Sequence, residues 1–206
     1  MDMATARTAP DSTYKIYNAP FALEVEIITP EHSLLPWDQK DYPFDTWEQD
    51  QTLQTAMAAS VNWYFQTLDD HLGNDALQSY MEKVGYGSDL SSYWLESTLK
   101  ISPVEQVELL SRTFGQNAFS FAPENIQAVK DSICLSSSAA GTLYGKTGTG
   151  RVDGQDISGW FIGFIETSEN MYFFATNIQA EANATGSAAA ETAFSVLSLL
   201  DLWQQR

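Results

Sequence analysis

Three runs between residues 142 and 178 constrain the fold more than any other part of the chain: "TLYGKTG", "ISGWFIGFIET" and "MYFFATNI". Each is apolar, aromatic and β-branched, and Gly, Asp, Asn and Ser separate them, which is the pattern of strands. The connections "VDGQD" and "SEN" have hairpin chemistry, so the runs form an antiparallel sheet of at least three strands.

The remainder reads as helices. "STYKIYNAPFALE" places Ile16, Ala19, Ala22 and Leu23 at helical spacing, although Pro20 is expected to end or kink that helix. A Pro- and Trp-rich loop covers residues 29–47. "LQTAMAASVNWYFQTLDDHL" carries a helical stripe of Leu53, Met57, Val61, Tyr64, Phe65 and Leu68. Further helices are expected over 75–83, from Pro103 through Phe114 with Ser102 and Glu105 as a capping box, and from Pro123 to about Ile133. "SAAAETAFSVLSLLDLWQQ" closes the chain as a helix. The layout is α+β: one domain over 1–206, with a helical lobe over about 24–135 and a sheet with its closing helix over about 140–206.

Composition excludes several functions. With 27 acidic and 10 basic residues, net charge −17, the chain has no basic stripe for nucleic acid or an anionic membrane. A hydrophobic share of 44 % supports a real core. A lone Cys134 excludes an internal disulfide, and no CxxC, HExxH or paired-histidine spacing suggests a metal. No apolar run approaches the roughly eighteen residues of a membrane span, and "MDMATARTAP" is no signal peptide. The chain therefore reads as cytosolic or as a piece of a longer protein. Trp37, Trp47 and Trp63 are expected in packing, His32 and His71 on the surface, Cys134 buried, and Asp69 and Asp70 at a solvated helix end.

The candidate chemistry starts in "DSTYK". Ser12 and Lys15, at i and i+3, share a helix face. A serine hydroxyl becomes a nucleophile when a base takes its proton, and burial lowers a lysine far enough to serve as that base. A helix start also leaves N–H groups free for an oxyanion. "STLK", from Ser97 to Lys100, has the same spacing, so the pair alone is weak. Two further elements strengthen it: Ser60 and Asn62 in "ASVNW", placed on the strongest helix, and Lys146, Thr147 and Gly148 in "YGKTGTG", placed on the first strand. Ser-x-x-Lys, Ser-x-Asn and Lys-Thr-Gly in that order form the signature of serine enzymes that recognise penicillin. Lys146 and Thr147 suit a substrate carboxylate, Gly148 a close backbone approach, and Ser60 a proton relay.

From about Ala9 to Ile178 the chain resembles class D β-lactamases and, more closely, the β-lactam sensor domains of the BlaR/MecR signal transducers. "STYKIYNAPFALE", "SVNWYFQ", "YWLESTLKISPVEQVELL", "LYGKTGTG", "GWFIGFIE" and "YFFATNI" carry the resemblance. It implies the penicillin-binding transpeptidase fold. Ser12 would be acylated and Lys15 would be its base, open to carbamylation by carbon dioxide but needing no other cofactor. Trp94 would pack beside that lysine, and the N–H groups of Ser12 and Thr149 would form the oxyanion hole. Asn62 stands where hydrolytic class D enzymes typically carry valine and the sensors carry asparagine. A polar amide there favours loss of the carbamate, leaves deacylating water without a base, and lengthens the life of the acyl adduct.

The resemblance makes β-lactams the partner and implies the extracellular face of a bacterial membrane within a larger protein, or a secreted or periplasmic location for a free-standing chain. Three features depart from the family. Only eleven residues precede Ser12 where the relatives have two strands, so an open sheet edge is expected, available to another chain or an upstream segment. Ser88 stands where asparagine is usual, and the loop over 86–94 is short. No arginine lies between Arg151 and Arg206 to supply an extra carboxylate contact. A class D-like hydrolase and a truncated, non-catalytic relative are the alternatives; a cell-wall peptidase suits the small helical lobe less well.

Overall fold

The four strands β1 (Cys134–Ser138), β2 (Gly141–Val152), β3 (Gln155–Glu166) and β4 (Met171–Gln179) form one antiparallel sheet in sequence order. The computed structural model describes residues 2–87, 89–94 and 98–204, so Ser88, Ser97 and the "STLK" spacing lie outside the described residues. The β2–β3 hairpin turns on Asp153 and Gly154, both at positive φ, as a tight two-residue connection requires. β3 is central, and its side chains alternate between two covered faces. Trp160, Ile162 and Phe164 join the main core with the helical lobe, whereas Phe161 and Ile165 pack under the C-terminal helix. Burial on both faces explains why β3 reads as one continuous apolar run.

β1 was not expected. "CLSSS" has no apolar alternation, and all five residues are exposed. Pairing with β2, not side-chain burial, makes it a strand. Cys134 is accordingly exposed, contrary to its expected burial. β4 lies at the other edge, and no strand among the described residues pairs with its outer side.

The helices are α1 (Lys15–Glu24), α2 (Leu53–Ala58), α3 (Asn62–Leu72), α4 (Asn74–Val84), α5 (Pro103–Leu110), α6 (Pro123–Ser132) and α7 (Gly186–Leu199). A 3-10 turn, Asp11–Tyr14, precedes α1. α1 continues through Pro20 because Lys15 to Leu23 are all buried, and packing outweighs the lost N–H. α5 begins at the Ser102–Glu105 capping box and passes into a wider π turn, Ser111–Gly115.

The single helix expected across residues 53–72 is two helices. Val61 N–H bonds Ala56 O at 2.9 Å and Ser60 N–H bonds Met57 O at 3.2 Å, with Ser60 at φ +53. This is a left-handed C-terminal cap with serine in the place that glycine usually fills. The apolar stripe survives because α2 and α3 both face the same core. Trp47 and Trp63 are buried and joined by an indole N–H to Trp47 O at 2.9 Å; His32 and His71 are exposed.

Candidate active site

Several contacts hold the segment before α1 against the sheet and α5. Trp160 Nε1 donates to Ala9 O at 2.7 Å, Thr8 and Ile101 form a bridge, and Gln106 Nε2 donates to Thr13 Oγ1 at 3.0 Å. Asp11 adopts φ +50 and starts the 3-10 turn that carries Ser12. Lys15 follows as the first residue of α1, one turn on.

Lys15 is fully buried, with Nζ 2.8 Å from Ser12 Oγ and 2.7 Å from Asn62 Oδ1. The same nitrogen lies over the rings of Trp94 and Phe65, 5.2 and 5.6 Å from their centroids. Burial holds Lys15 well below the ordinary lysine range, and the positive charge of Lys146 pushes it the same way; Asp11 and Asp69 oppose the shift. The shift favours the unprotonated amine, which lies in hydrogen-bond reach of the serine hydroxyl.

Lys146 enters from β2 and is 5 % exposed. Its ammonium contacts the Ser60 hydroxyl and bonds Thr147 O at 2.9 Å. Burial lowers it to about 8, so it keeps its charge at neutral pH. Ser60 and Thr147, which the Lys146 ammonium contacts, both line the cleft.

Two adjoining cavities meet at Ser12. One, about 280 Å³, is lined by Ser12, Lys15, Asn62, Tyr93, Trp94 and Thr149. The other, about 360 Å³, is lined by Ser12, Ser60, Asn62, Thr147, Gly148 and Thr149. Every residue singled out from the motifs therefore lies in this cleft or, for Lys146, touches one that does. Gly148 has a role beyond substrate approach. A Cβ there would lie 3.1 Å from Ser12 N and 3.1 Å from Pro10 O, so glycine lets β2 close on the serine turn. Ser60 sits in the break between α2 and α3, and Asn62 begins α3.

Some cleft residues escaped the sequence motifs. Phe44 and Trp47, from the Pro- and Trp-rich loop, wall the larger cavity; Arg151 lines both cavities and pairs with Asp156 at 2.8 Å. Arg151 is thus a second cation at the cleft, where only Lys146 was expected. Its position only nine residues after Thr142, on the same strand as Lys146, was the available signal. Asp11 lines the smaller cavity with Oδ2 buried and unpartnered, and burial pushes its carboxyl up to about 7. Asp69 is buried too, against the expectation of a solvated helix end, because Tyr14, Asn18, Tyr93 and Trp94 all donate to it. A larger cavity, about 820 Å³, lies between β1 and residues 201–204, away from this chemistry.

A mixed helical and antiparallel fold thus brings a buried lysine on a serine, a second serine on a second lysine, and a Lys-Thr-Gly strand into one cleft. The chain belongs to the penicillin binding protein transpeptidase domain family, which it matches over residues 1–198. It is 48 % identical to "Regulatory protein BlaR1" of Bacillus licheniformis over 94 % of this chain and 33 % of that protein. It superposes on the C-terminal domain of the Bacillus licheniformis BlaR penicillin-receptor with TM-score 0.93 and 47 % identity, covering 98 % of this chain and 83 % of the other. A class D β-lactamase from Bacillus subtilis follows at TM-score 0.90 and 32 % identity, covering 98 % and 85 %. The resemblance to BlaR/MecR sensors and class D β-lactamases, and the fold it implied, therefore hold. The chain spans about a third of the length of the curated relatives it matches first.

Proposed function

We propose that the chain is a β-lactam sensor domain, acylated on Ser12 to give a long-lived adduct that reports the antibiotic. The observation that carries this is the fully buried Lys15 amine, 2.8 Å from Ser12 Oγ and 2.7 Å from Asn62 Oδ1. Ser12 Oγ attacks the lactam carbonyl carbon while its proton passes to Lys15 Nζ. The N–H groups of Ser12 and Thr149 hold the oxyanion. The lactam C–N bond then breaks, and its nitrogen takes a proton through Ser60, which Lys146 holds in place. Thr147 and Arg151 line the cleft for the substrate carboxylate, with the Lys146 charge behind them. Deacylation needs a base for water; Asn62 Oδ1 accepts from Lys15 Nζ, and a polar amide there favours loss of the carbamate that would be that base. The buried Lys15 amine is also where carbon dioxide would add as a carbamate, with no other cofactor needed.

Intact-protein mass spectrometry with benzylpenicillin tests this reading. The expected result is a mass rise of one antibiotic that persists for hours and is absent in Ser12→Ala. Rapid, complete return to the starting mass would leave the hydrolase reading instead. That second reading draws on the likeness to class D β-lactamases and expects steady cephalosporin turnover that bicarbonate increases. No labelling by fluorescent penicillin at high concentration would indicate a non-catalytic relative.

The wider setting is proposed on the same basis. No described helix is long and apolar enough to cross a membrane. We place the domain on the extracellular face of a bacterial membrane, within a larger membrane protein, because the matched relatives are about three times longer. The unpaired edge of β4 is where a further strand, from another chain or an upstream segment, would dock.

A further inference from the structure

In the reading above, the N–H groups of Ser12 and Thr149 hold the oxyanion. Asp11 is bonded to one of these donors and packed around the other. Its carbonyl carbon joins Ser12 N, and its side chain lies against the two glycines that flank Thr149 on β2. A Cβ on Gly148 would stand 3.1 Å from Asp11 Cβ, and one on Gly150 would stand 2.8 and 2.9 Å from the two carboxyl oxygens. Gly150 pairs with Ser158 of β3, so the carboxyl abuts the β2–β3 ladder. Its Oδ2 is buried without a hydrogen-bond partner, and so is the neighbouring Ser158 hydroxyl. Asp11 also holds φ +50, where glycine would be less strained. Glycine would leave empty the gap between the serine turn and β2 that the aspartate side chain fills.

When Ser12 Oγ bonds the lactam carbonyl carbon, the C=O electron pair moves onto oxygen, and negative charge develops at the two N–H groups. A carboxylate wedged against Gly150 would oppose that charge and repel an anionic antibiotic as well. A neutral carboxyl fills the same space without either cost. Burial favours the neutral form and raises the group to about 7; Ser158 and the charge of Lys15 on α1 oppose the shift. Among the described residues, the other titratable groups around it are Arg151 of β2, paired with Asp156 of β3, and the phenols of Tyr14, Tyr86 and Tyr93. All three phenols are raised by burial, so none of them titrates near neutrality.

We propose that Asp11 is a positioning residue of the oxyanion hole that works in its uncharged form: its side chain sets the gap between the serine turn and β2, and its ionisation opposes the oxyanion and slows acylation of Ser12. The inference deepens the sensor reading and rests on it, since the rate in question is that of Ser12 acylation. Ionised Asp11 also favours the proton on Lys15, which acts in the same direction. Acylation therefore slows as pH rises through the titration of Asp11.

The test compares second-order labelling by fluorescent penicillin in native protein, Asp11→Asn and Asp11→Gly between about pH 6 and 8.5. Asparagine keeps the shape and tolerates positive φ but carries no charge. The ratio of its rate to the native rate is expected to start near one at the acid end and to rise about tenfold by the alkaline end, the scale of one nearby like charge. The ratio cancels the titration of Lys146, which both proteins share. Asp11→Gly suits the backbone but leaves the gap unfilled; it is expected to be severalfold slower than native at the acid end and to show the same rise. A ratio that stays flat with pH overturns the proposal, and so does native-like acylation of Asp11→Gly at the acid end. Carbon-13 NMR of the Asp11 carboxyl, assigned by its loss in Asp11→Asn, reads the titration without antibiotic. A midpoint near 7 is expected, and an ordinary aspartate value of about 4 overturns the proposal. Failure of penicillin to acylate native Ser12 at any pH would sink the sensor reading and this proposal together, whereas normal acylation with a flat ratio sinks the proposal alone.

Discussion

Two buried lysines serve one cleft, each against a serine hydroxyl, and their surroundings give them opposite chemistry. Lys15, at the start of α1, is fully buried against an amide oxygen and two aromatic faces, and falls well below the usual lysine range. Lys146, on β2, touches Ser60 and a carbonyl, and burial lowers it only to about 8. One is pushed toward the free base and the other keeps its charge at neutral pH. The two are also linked, because the Lys146 charge is the second largest cause of the fall at Lys15. A lysine's role is thus decided by depth of burial and by the nearest like charge, not by residue type or partner.

The largest expected effect comes from removing the base. Lys15→Ala should slow Ser12 acylation by roughly 10²–10⁴-fold, the usual worth of a general base, read from second-order labelling by fluorescent penicillin. A loss under tenfold would break the contrast, since Lys15 would then be no more than a packing residue.

Removing the cation sharpens the contrast. Lys146→Met should weaken pre-covalent binding of a carboxylate-bearing antibiotic by roughly 10–100-fold, the scale of a charge-assisted contact. It should also move the acid limb of the acylation rate to higher pH, because Lys15 regains affinity for its proton once the like charge is gone. An unmoved limb would show that the lysines are uncoupled. In the native protein, binding should weaken as pH rises through about 8 and Lys146 loses its charge. Its contribution to stability has the opposite sign. Below about 8 both folded and unfolded forms hold the proton, and the folded form bears the full desolvation cost. Between about 8 and 10.5 only the unfolded form holds it, so stability rises with pH across that window. Denaturant melts of native and Lys146→Met at pH 7.5 and 10 read this difference as a slope that the variant flattens.

Smaller effects test how the two halves are held together. Gly148→Ala places a methyl 3.1 Å from Ser12 N and Pro10 O, and should cost about 1–3 kcal/mol as β2 and the serine turn separate. Acylation should slow with it; a neutral result in thermal melts would show that the turn gives way freely. Ser60→Gly relieves a side chain at φ +53 and should add about 1 kcal/mol of stability while acylation slows, because Lys146 loses its hydroxyl partner. Loss of stability instead would mean that this contact outweighs the backbone strain.

Local chemistry made much of this protein legible. The three long strands, the Asp153–Gly154 hairpin, the Ser102–Glu105 capping box and the closing helix all follow from periodicity and turn residues. β1 did not, because a serine-rich exposed strand has no side-chain signature and exists only through its partner. The break at Ser60 was hidden for a related reason: α2 and α3 bury one continuous apolar stripe, and a left-handed serine does not announce itself as a glycine would. Asp69 read as a solvated helix end because its four donors come from positions 14, 18, 93 and 94.

The motifs named the reactive groups of the cleft, and their order named the family, since spacing along one strand or one helical turn is a property of the chain itself. Tertiary structure decided which lysine is pushed furthest toward its neutral form, which serine each lysine contacts, and that the Asp69 carboxylate is buried. Those outcomes depend on desolvation and on charges brought together from distant segments, and neither exists until the sheet has closed on α1.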